Sequence, residues 1–185
     1  MNLIGLLEKA YYVLHRRRNV VADLRGRVAA GGRVLDFGGG TGRVSEALSR
    51  EVSGFYVVAD VDPGSLRLVP PHLNPVRIAA RPPLPFRDAR FGRIVLVDVL
   101  HHVGDAADVL RDLVRCLGPG GSLLIVEMDA RRRITRMFQR LVHLDGRSCR
   151  FWAPERLAAA LEELGLRARV HRLDALRFLV EAGRE

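Results

Sequence analysis

The sequence predicts a doubly wound α/β fold on a mostly parallel sheet, and three observations carry that expectation. Short apolar runs alternate with helix-patterned segments from residue 33 to residue 127. Two of those runs, "IVLV" and "LLIV", have no polar face, as strands covered on both sides require. The strand pattern "RVLDF" passes through a glycine cluster straight into a helical pattern, which is how a strand feeds a crossover helix.

The elements follow in order. Leu3, Leu6, Leu7, Ala10, Val13 and Leu14 recur at helical spacing, and a second helical stretch covers 19–29 before "AAGG" stops it. Residues 1–30 are therefore expected to form a cap of N-terminal helices on an α/β core spanning 31–185, within one domain. Strands are expected at 33–37, 55–60, 76–79, 93–98 and 122–127. The helical segments between them lie at 42–51, near 63–68 and at 106–117. After the fifth strand, "RRRITRMFQRLVHL" and "APERLAAALEELG" read as helices, the second with Pro154 in its first turn and Gly165 at its end. "LRARVHRLDALRFLVEAG" then offers two extended runs around Asp174 and Ala175, a C-terminal antiparallel hairpin that brings the sheet to seven strands. Six of the nine prolines fall between Pro70 and Pro85, which makes that stretch a stiff connection around one short strand.

Composition narrows the class. The chain of 185 residues is 48% hydrophobic, ample for a packed core, and no run approaches eighteen apolar residues. "MNLIGLLEKAYYVLHRRR" meets charge at Glu8 and lacks a secretory cleavage site, so a soluble cytoplasmic protein is expected. Cys116 and Cys149 are far apart and neither sits in a CxxC, so no disulfide framework or metal site is indicated. Net charge is +9, but only Lys9 of the 30 basic residues is a lysine. Arginine spread this evenly reads as composition more than as a nucleic-acid footprint, and the clusters "HRRR" at 15–18 and "RRR" at 131–133 suit solvated helix ends.

The glycine turn carries the chemistry. In "VLDFGGGTGRV", Gly38, Gly39, Gly40 and Gly42 let backbone approach a ligand, and the following helix directs its amides at it. A dinucleotide turn reads GxGxxG; here the spacing is GxGxG, and Arg43 stands where its third glycine belongs. Asp36, just before the glycines, would repel a pyrophosphate and favour a cation. Asp60 closes the second strand, where a carboxylate can take both ribose hydroxyls. Together these suit a ribose-bearing ligand with a cationic, amino-acid-like tail.

With these motifs the sequence resembles the class I S-adenosylmethionine-dependent methyltransferases, a Rossmann-like family, and in particular their type 11 group of quinone-biosynthesis and other small-molecule enzymes. The resemblance runs from Arg33 onward through "VLDFGGGTG", "VVADVDPGSL", "LPFRDARFGRIVLVDVLHHV", "VLRDLVRCLGPGGSLLIVE" and "FWAPERLAAALEELGL". It implies S-adenosyl-L-methionine as cofactor, held by the turn from Phe37 through Gly38, Gly39, Gly40 and Gly42. Gly38 and Gly40 would lie against the methionine portion and Asp36 would hold the ammonium group directly or through water. Asp60 would take the ribose, Val61 would pack on the adenine, and the backbone at Val97 and Asp98 would close the other side. Two departures stand out. Ala80, followed by Arg81, occupies the position of an acid that often accepts from the adenine amino group, and Phe91–Gly92 replaces the family's "FD".

Methyl transfer from a sulfonium needs alignment more than a catalytic group. His101 and His102 are the candidate bases should the acceptor need one, the alternative being that they hydrogen-bond the loop and cap the following helix. Tyr11, Tyr12, Arg16 and His102 are candidates for lining the acceptor site. The sequence lacks the Asn/Asp-Pro-Pro-aromatic run of DNA amino methylation, the Pro-Cys of cytosine methylation and the double-glutamate loop of protein arginine methylation. A small-molecule or lipid-like acceptor is the reading that remains. Its alternatives are a non-catalytic S-adenosylmethionine-binding protein, an RNA or protein methyltransferase, and a nucleotide-dependent oxidoreductase, the last disfavoured by Arg43.

Overall fold

The computed structural model describes residues 20–79, 81–144 and 149–184. A helix α1 (Val20–Arg25) leads into β1 (Gly32–Phe37), α2 (Arg43–Glu51), β2 (Gly54–Asp60), the short α3 (Pro63–Leu66) and β3 (Asn74–Arg77). The second half runs β4 (Phe91–Val97), a 3-10 turn (Leu100–His102), α4 (Ala106–Cys116), β5 (Leu117–Met128), α5 (Arg133–Leu144), α6 (Pro154–Glu162), β6 (Arg167–Arg172) and β7 (Arg177–Gly183). The seven strands lie in the order β3-β2-β1-β4-β5-β7-β6. The first five are parallel neighbours and β7 enters antiparallel to both β5 and β6.

Side-chain alternation explains why the sheet is covered twice. Leu35, Ile94, Leu96, Leu123 and Ile125 face Val109, Leu110 and Leu113 of α4 and Leu157 and Leu161 of α6. Val34, Val58, Val95, Leu124 and Val126 face the other way, onto Val21 and Leu24 of α1 and Leu48 of α2. Every residue from Ile94 to Leu96 and from Leu123 to Val126 is fully buried, as the two-faced runs require.

Several boundaries differ from the sequence reading, each for a local reason. β3 starts at Asn74, before 76, because the Asn74 side-chain amide donates to the Tyr56 carbonyl (2.8 Å). Pro75 is tolerated there because β3 is an edge strand. The "GPGG" run does not end the preceding strand-helix unit as a free turn. β5 begins at Leu117, opposite Phe91, and the register then jumps to Arg93 opposite Ser122, so the glycines bulge out of the ladder. α1 ends at Arg25 and does not reach 29. The C-terminal hairpin forms as expected, its turn tied by Asp174, whose Oδ1 accepts from the Leu176 and Arg177 amides (both 2.8 Å). No helix among the described residues is long and apolar enough to cross a membrane.

Candidate active site

β1 and β4 are neighbours in the sheet, although β2 and β3 lie between them in sequence on the far side of β1. The connections leaving their C-terminal ends therefore diverge, and the gap between them is where ligands enter sheets of this kind. Three features converge there: the glycine turn after β1, Asp60 at the end of β2 and Asp98 after β4.

The turn is held by its own backbone. The Gly38 and Gly39 amides donate to the Ala59 carbonyl (2.7 and 3.2 Å), and the Gly42 amide donates to the Gly39 carbonyl (2.9 Å). Gly38, Gly40 and Gly42 have φ of 70°, 55° and 76°, the left-handed region that side chains disfavour. Their surroundings differ. A Cβ on Gly38 would come within 2.1 Å of Val99 Cγ2, whereas one on Gly40 would meet none of the described residues within 4 Å. Gly38 is thus closed by packing, and Gly40 stands clear of the other described residues.

Asp60 joins the turn to the second strand. Its Oδ2 accepts the Gly40 amide (2.8 Å) and its Oδ1 the Asp62 amide (2.9 Å), which leaves lone pairs on both oxygens for further donors. Val61 beside it is 48% exposed, an apolar side chain presented at the cleft rim. Asp62 caps α3, accepting from Ser65 Oγ (2.7 Å) and from Gly64 N–H and Ser65 N–H (both 3.0 Å), and these bonds, the Ser65 hydroxyl first, hold its carboxyl below the usual range. Asp36 lies deeper. It is 2% exposed, its Oδ2 accepts from Ser45 Oγ (2.8 Å), and burial pushes its carboxyl up to about 6 despite that bond.

On the β4 side, Asp98 has φ of 53°, and its Oδ1 is buried with no hydrogen-bond partner among the described residues. Burial first, then the Glu127 charge, raise its carboxyl to about 6, with His101 and Arg177 pulling the other way. A carboxylate in a left-handed backbone with an unused buried oxygen is a cost that folding alone does not call for.

Behind it, Glu127 is fully buried; its Oε1 accepts the Leu100 and His101 amides (2.7 and 3.3 Å) and its Oε2 lies 2.7 Å from His101 Nδ1. Burial disfavours the imidazolium, but the adjoining Glu127 and then Asp98 outweigh it, so the His101 pKa is raised. The pair braces the 3-10 turn against β5. Glu127→Gln keeps one acceptor and removes the charge, and is expected to lower stability by about 1–2 kcal/mol in urea denaturation.

A methyltransferase-domain family model matches residues 13–170. The chain belongs to the class I S-adenosylmethionine-dependent methyltransferases. The chain is 34% identical over 112 residues to the ubiquinone/menaquinone biosynthesis C-methyltransferase UbiE of Pseudomonas fluorescens, a match covering 55% of this chain and 44% of the relative. The chain thus spans about half the length of the curated relatives it matches. Its fold is shared with a SAM-dependent methyltransferase from Aquifex aeolicus (TM-score 0.68, 20% identity, 83% of this chain and 82% of that one). It is shared equally with the cyclase SpnF (TM-score 0.74, 15% identity, 89% and 79%), a reminder that fold and reaction are separable.

Within this chain, the structure brings Gly38 to Gly42, Asp60, Val61, Val97 and Asp98 to one end of the sheet, while Phe37 is a core residue and Arg81 is exposed. Tyr11, Tyr12, Arg16 and Ala80 lie outside the described residues. The two histidines separate: His101 is buried on Glu127, and His102 is exposed. Sequence reasoning missed Ser45, Val99 and Glu127, whose roles depend on contacts across nine to 61 positions of chain. Only Glu127 had a legible signal, a lone acid at the end of an otherwise apolar strand.

Proposed function

We propose that this chain transfers a methyl group from S-adenosylmethionine to a small-molecule or lipid-like acceptor. The observation that carries the reading is the joint between Gly40 and Asp60: an open left-handed glycine whose amide is fixed by a carboxylate that still has acceptor sites. That arrangement suits an amino-acid tail over the turn and ribose hydroxyls on Asp60, with Val61 offering an apolar surface to adenine. When bound, the cofactor supplies a methyl on a sulfonium whose departure as a neutral thioether needs no proton.

The chain's own contribution is then positioning and charge. Asp36 sets negative charge behind the turn, opposite a cationic tail. Asp98 offers its unused Oδ1 at the end of β4, where a donor on cofactor or acceptor would satisfy it. The pinned turn at 100–102 keeps that wall in place. Neither role requires a general base, because alignment and exclusion of water supply the acceleration. The small-molecule class is supported by the quinone-biosynthesis relatives and by the absence of nucleic-acid methylation motifs.

Calorimetric titration with S-adenosylmethionine, S-adenosylhomocysteine and NAD in parallel tests the first half, and release of S-adenosylhomocysteine in an acceptor screen tests the second. Saturation by the first two ligands alone is expected; saturation by NAD alone would overturn the reading. Binding of the cofactor without turnover on any acceptor would favour a sensor or scaffold.

A pH dependence follows from Asp36. Its carboxyl titrates at about 6 in the free protein, above the ordinary 3.8, so the fold favours the protonated form. The stabilisation from that group is complete below about 3.8 and is lost as pH rises through about 6. A cationic ligand has the opposite preference. Cofactor affinity is expected to fall about tenfold from about pH 7 to about pH 5 through this group alone, and Asp36→Asn should remove that share. A wild-type affinity that is flat over this range, measured by calorimetry, would rule out the charge pairing.

A further inference from the structure

His101, His102 and Cys149 each place a potential ligand atom within 4.8 Å of the other two. They come from two segments, the 3-10 turn after β4 and the residues leading into α6. The Arg150 amide holds these segments together by donating to the His101 carbonyl (2.9 Å).

The chemistry around the cluster is that of a ligand set. Glu127 Oε1 already accepts two backbone amides, which makes this carboxyl an acceptor, so His101 Nδ1 donates to Oε2 at 2.7 Å. That bond fixes the tautomer and leaves Nε2 as the nitrogen with a lone pair, the arrangement that orients metal-binding imidazoles. Phe151 stacks on the His101 ring at 4.4 Å and His102 lies 4.1 Å away on centroids, so the ring has little freedom to turn. Cys149 is 1% exposed among Met128, Val142 and Phe151, while His102 reaches the surface.

We propose that His101, His102 and Cys149 form a binding site for one zinc-class divalent cation, these three being the donors that the described residues supply. One thiolate and two imidazoles are borderline-soft donors that select zinc over magnesium or calcium. Bonds of about 2.0–2.3 Å put tetrahedral donors about 3.3–3.8 Å apart, so the cluster contracts by about 1 Å on binding. A cation there would tie the segment before α6 to the wall that carries Asp98. A fourth donor completes the tetrahedron that zinc prefers, water serving where the protein supplies none. This site is independent of the methyl-transfer reading.

The test uses the full chain after chelator treatment. Zinc chloride titrated by calorimetry should show one saturable site, and cobalt(II) in its place should give a thiolate-to-metal charge-transfer band in the near ultraviolet. His102→Ala, at an exposed position that leaves the core untouched, and Cys149→Ser should each weaken zinc at least about tenfold and abolish the band. Cys116→Ser should leave both unchanged. Circular dichroism reports folding of each variant. If Cys149→Ser fails to fold, His102→Ala still decides the matter. Absence of saturable zinc binding, or zinc binding and a cobalt band that survive His102→Ala, would overturn the site and leave a packed histidine stack beside a buried thiol.

Discussion

Gly38→Ala is expected to destabilise the protein by about 2–5 kcal/mol in urea denaturation. Two penalties combine. The backbone at φ 70° disfavours any side chain by about 1–2 kcal/mol. The new Cβ would also stand 2.1 Å from Val99 Cγ2 and 2.9 Å from Val99 Cβ, which forces overpacking worth about 1–3 kcal/mol. Val99 is packed on the main core and cannot simply swing away. Adding Val99→Ala to the Gly38→Ala background removes most of the clash and should recover that part of the loss, while the backbone penalty stays. Gly40→Ala is the matching control: its φ is 55° but no described residue has an atom within 4 Å of the added Cβ, so it should cost only the backbone share. Equal stability of Gly38→Ala and wild type would show that the turn does not close against Val99.

Asp60→Ala is expected to reduce S-adenosylmethionine affinity by about a hundredfold or more, on top of the stability lost with its bonds to the Gly40 and Asp62 amides. The carboxylate bonds the Gly40 amide and, in the reading above, two ribose hydroxyls. Charge-assisted hydrogen bonds contribute about 1.5–3 kcal/mol each, and two of them exceed the roughly 2.7 kcal/mol that a hundredfold requires. Its removal also frees Gly40 from the position in which its amide is held. Asp60→Asn keeps one acceptor oxygen and should fall between the two. Calorimetry on variants with unchanged circular dichroism checks this, and an Asp60→Ala protein that binds the cofactor like wild type would take Asp60 out of the site.

The Gly38 and Asp60 effects differ in kind although both residues belong to one turn. Gly38 is needed by the fold, and Asp60 by the turn it bonds and, in the proposed reading, by the ligand as well. The spacing of "GGGTG" could not distinguish them, because every glycine in it has the same freedom. Val99, 61 positions away, separates Gly38 from Gly40 by filling the space beside only one of them. Asp36 shows the same limit. As a residue type before a glycine turn it reads as a ligand contact, but the fold buries its carboxyl on Ser45, so in the proposed reading it acts on the ligand through charge.

Local chemistry and periodicity by themselves determined the alternation of strands and helices, the two-faced burial of β4 and β5, the left-handed turn after β1 and the carboxylate closing β2. Each of these depends on residues within a few positions of one another, where steric and hydrophobic preferences act directly. Only the tertiary structure decided the bulge that absorbs "GPGG" into β5, the left-handed carboxylate at Asp98, the Glu127 brace on His101 and the meeting of Cys149 with the two histidines. Those arise from register across the sheet and from packing between distant segments, and a contact that depends on where two strands happen to align is not encoded in either strand alone.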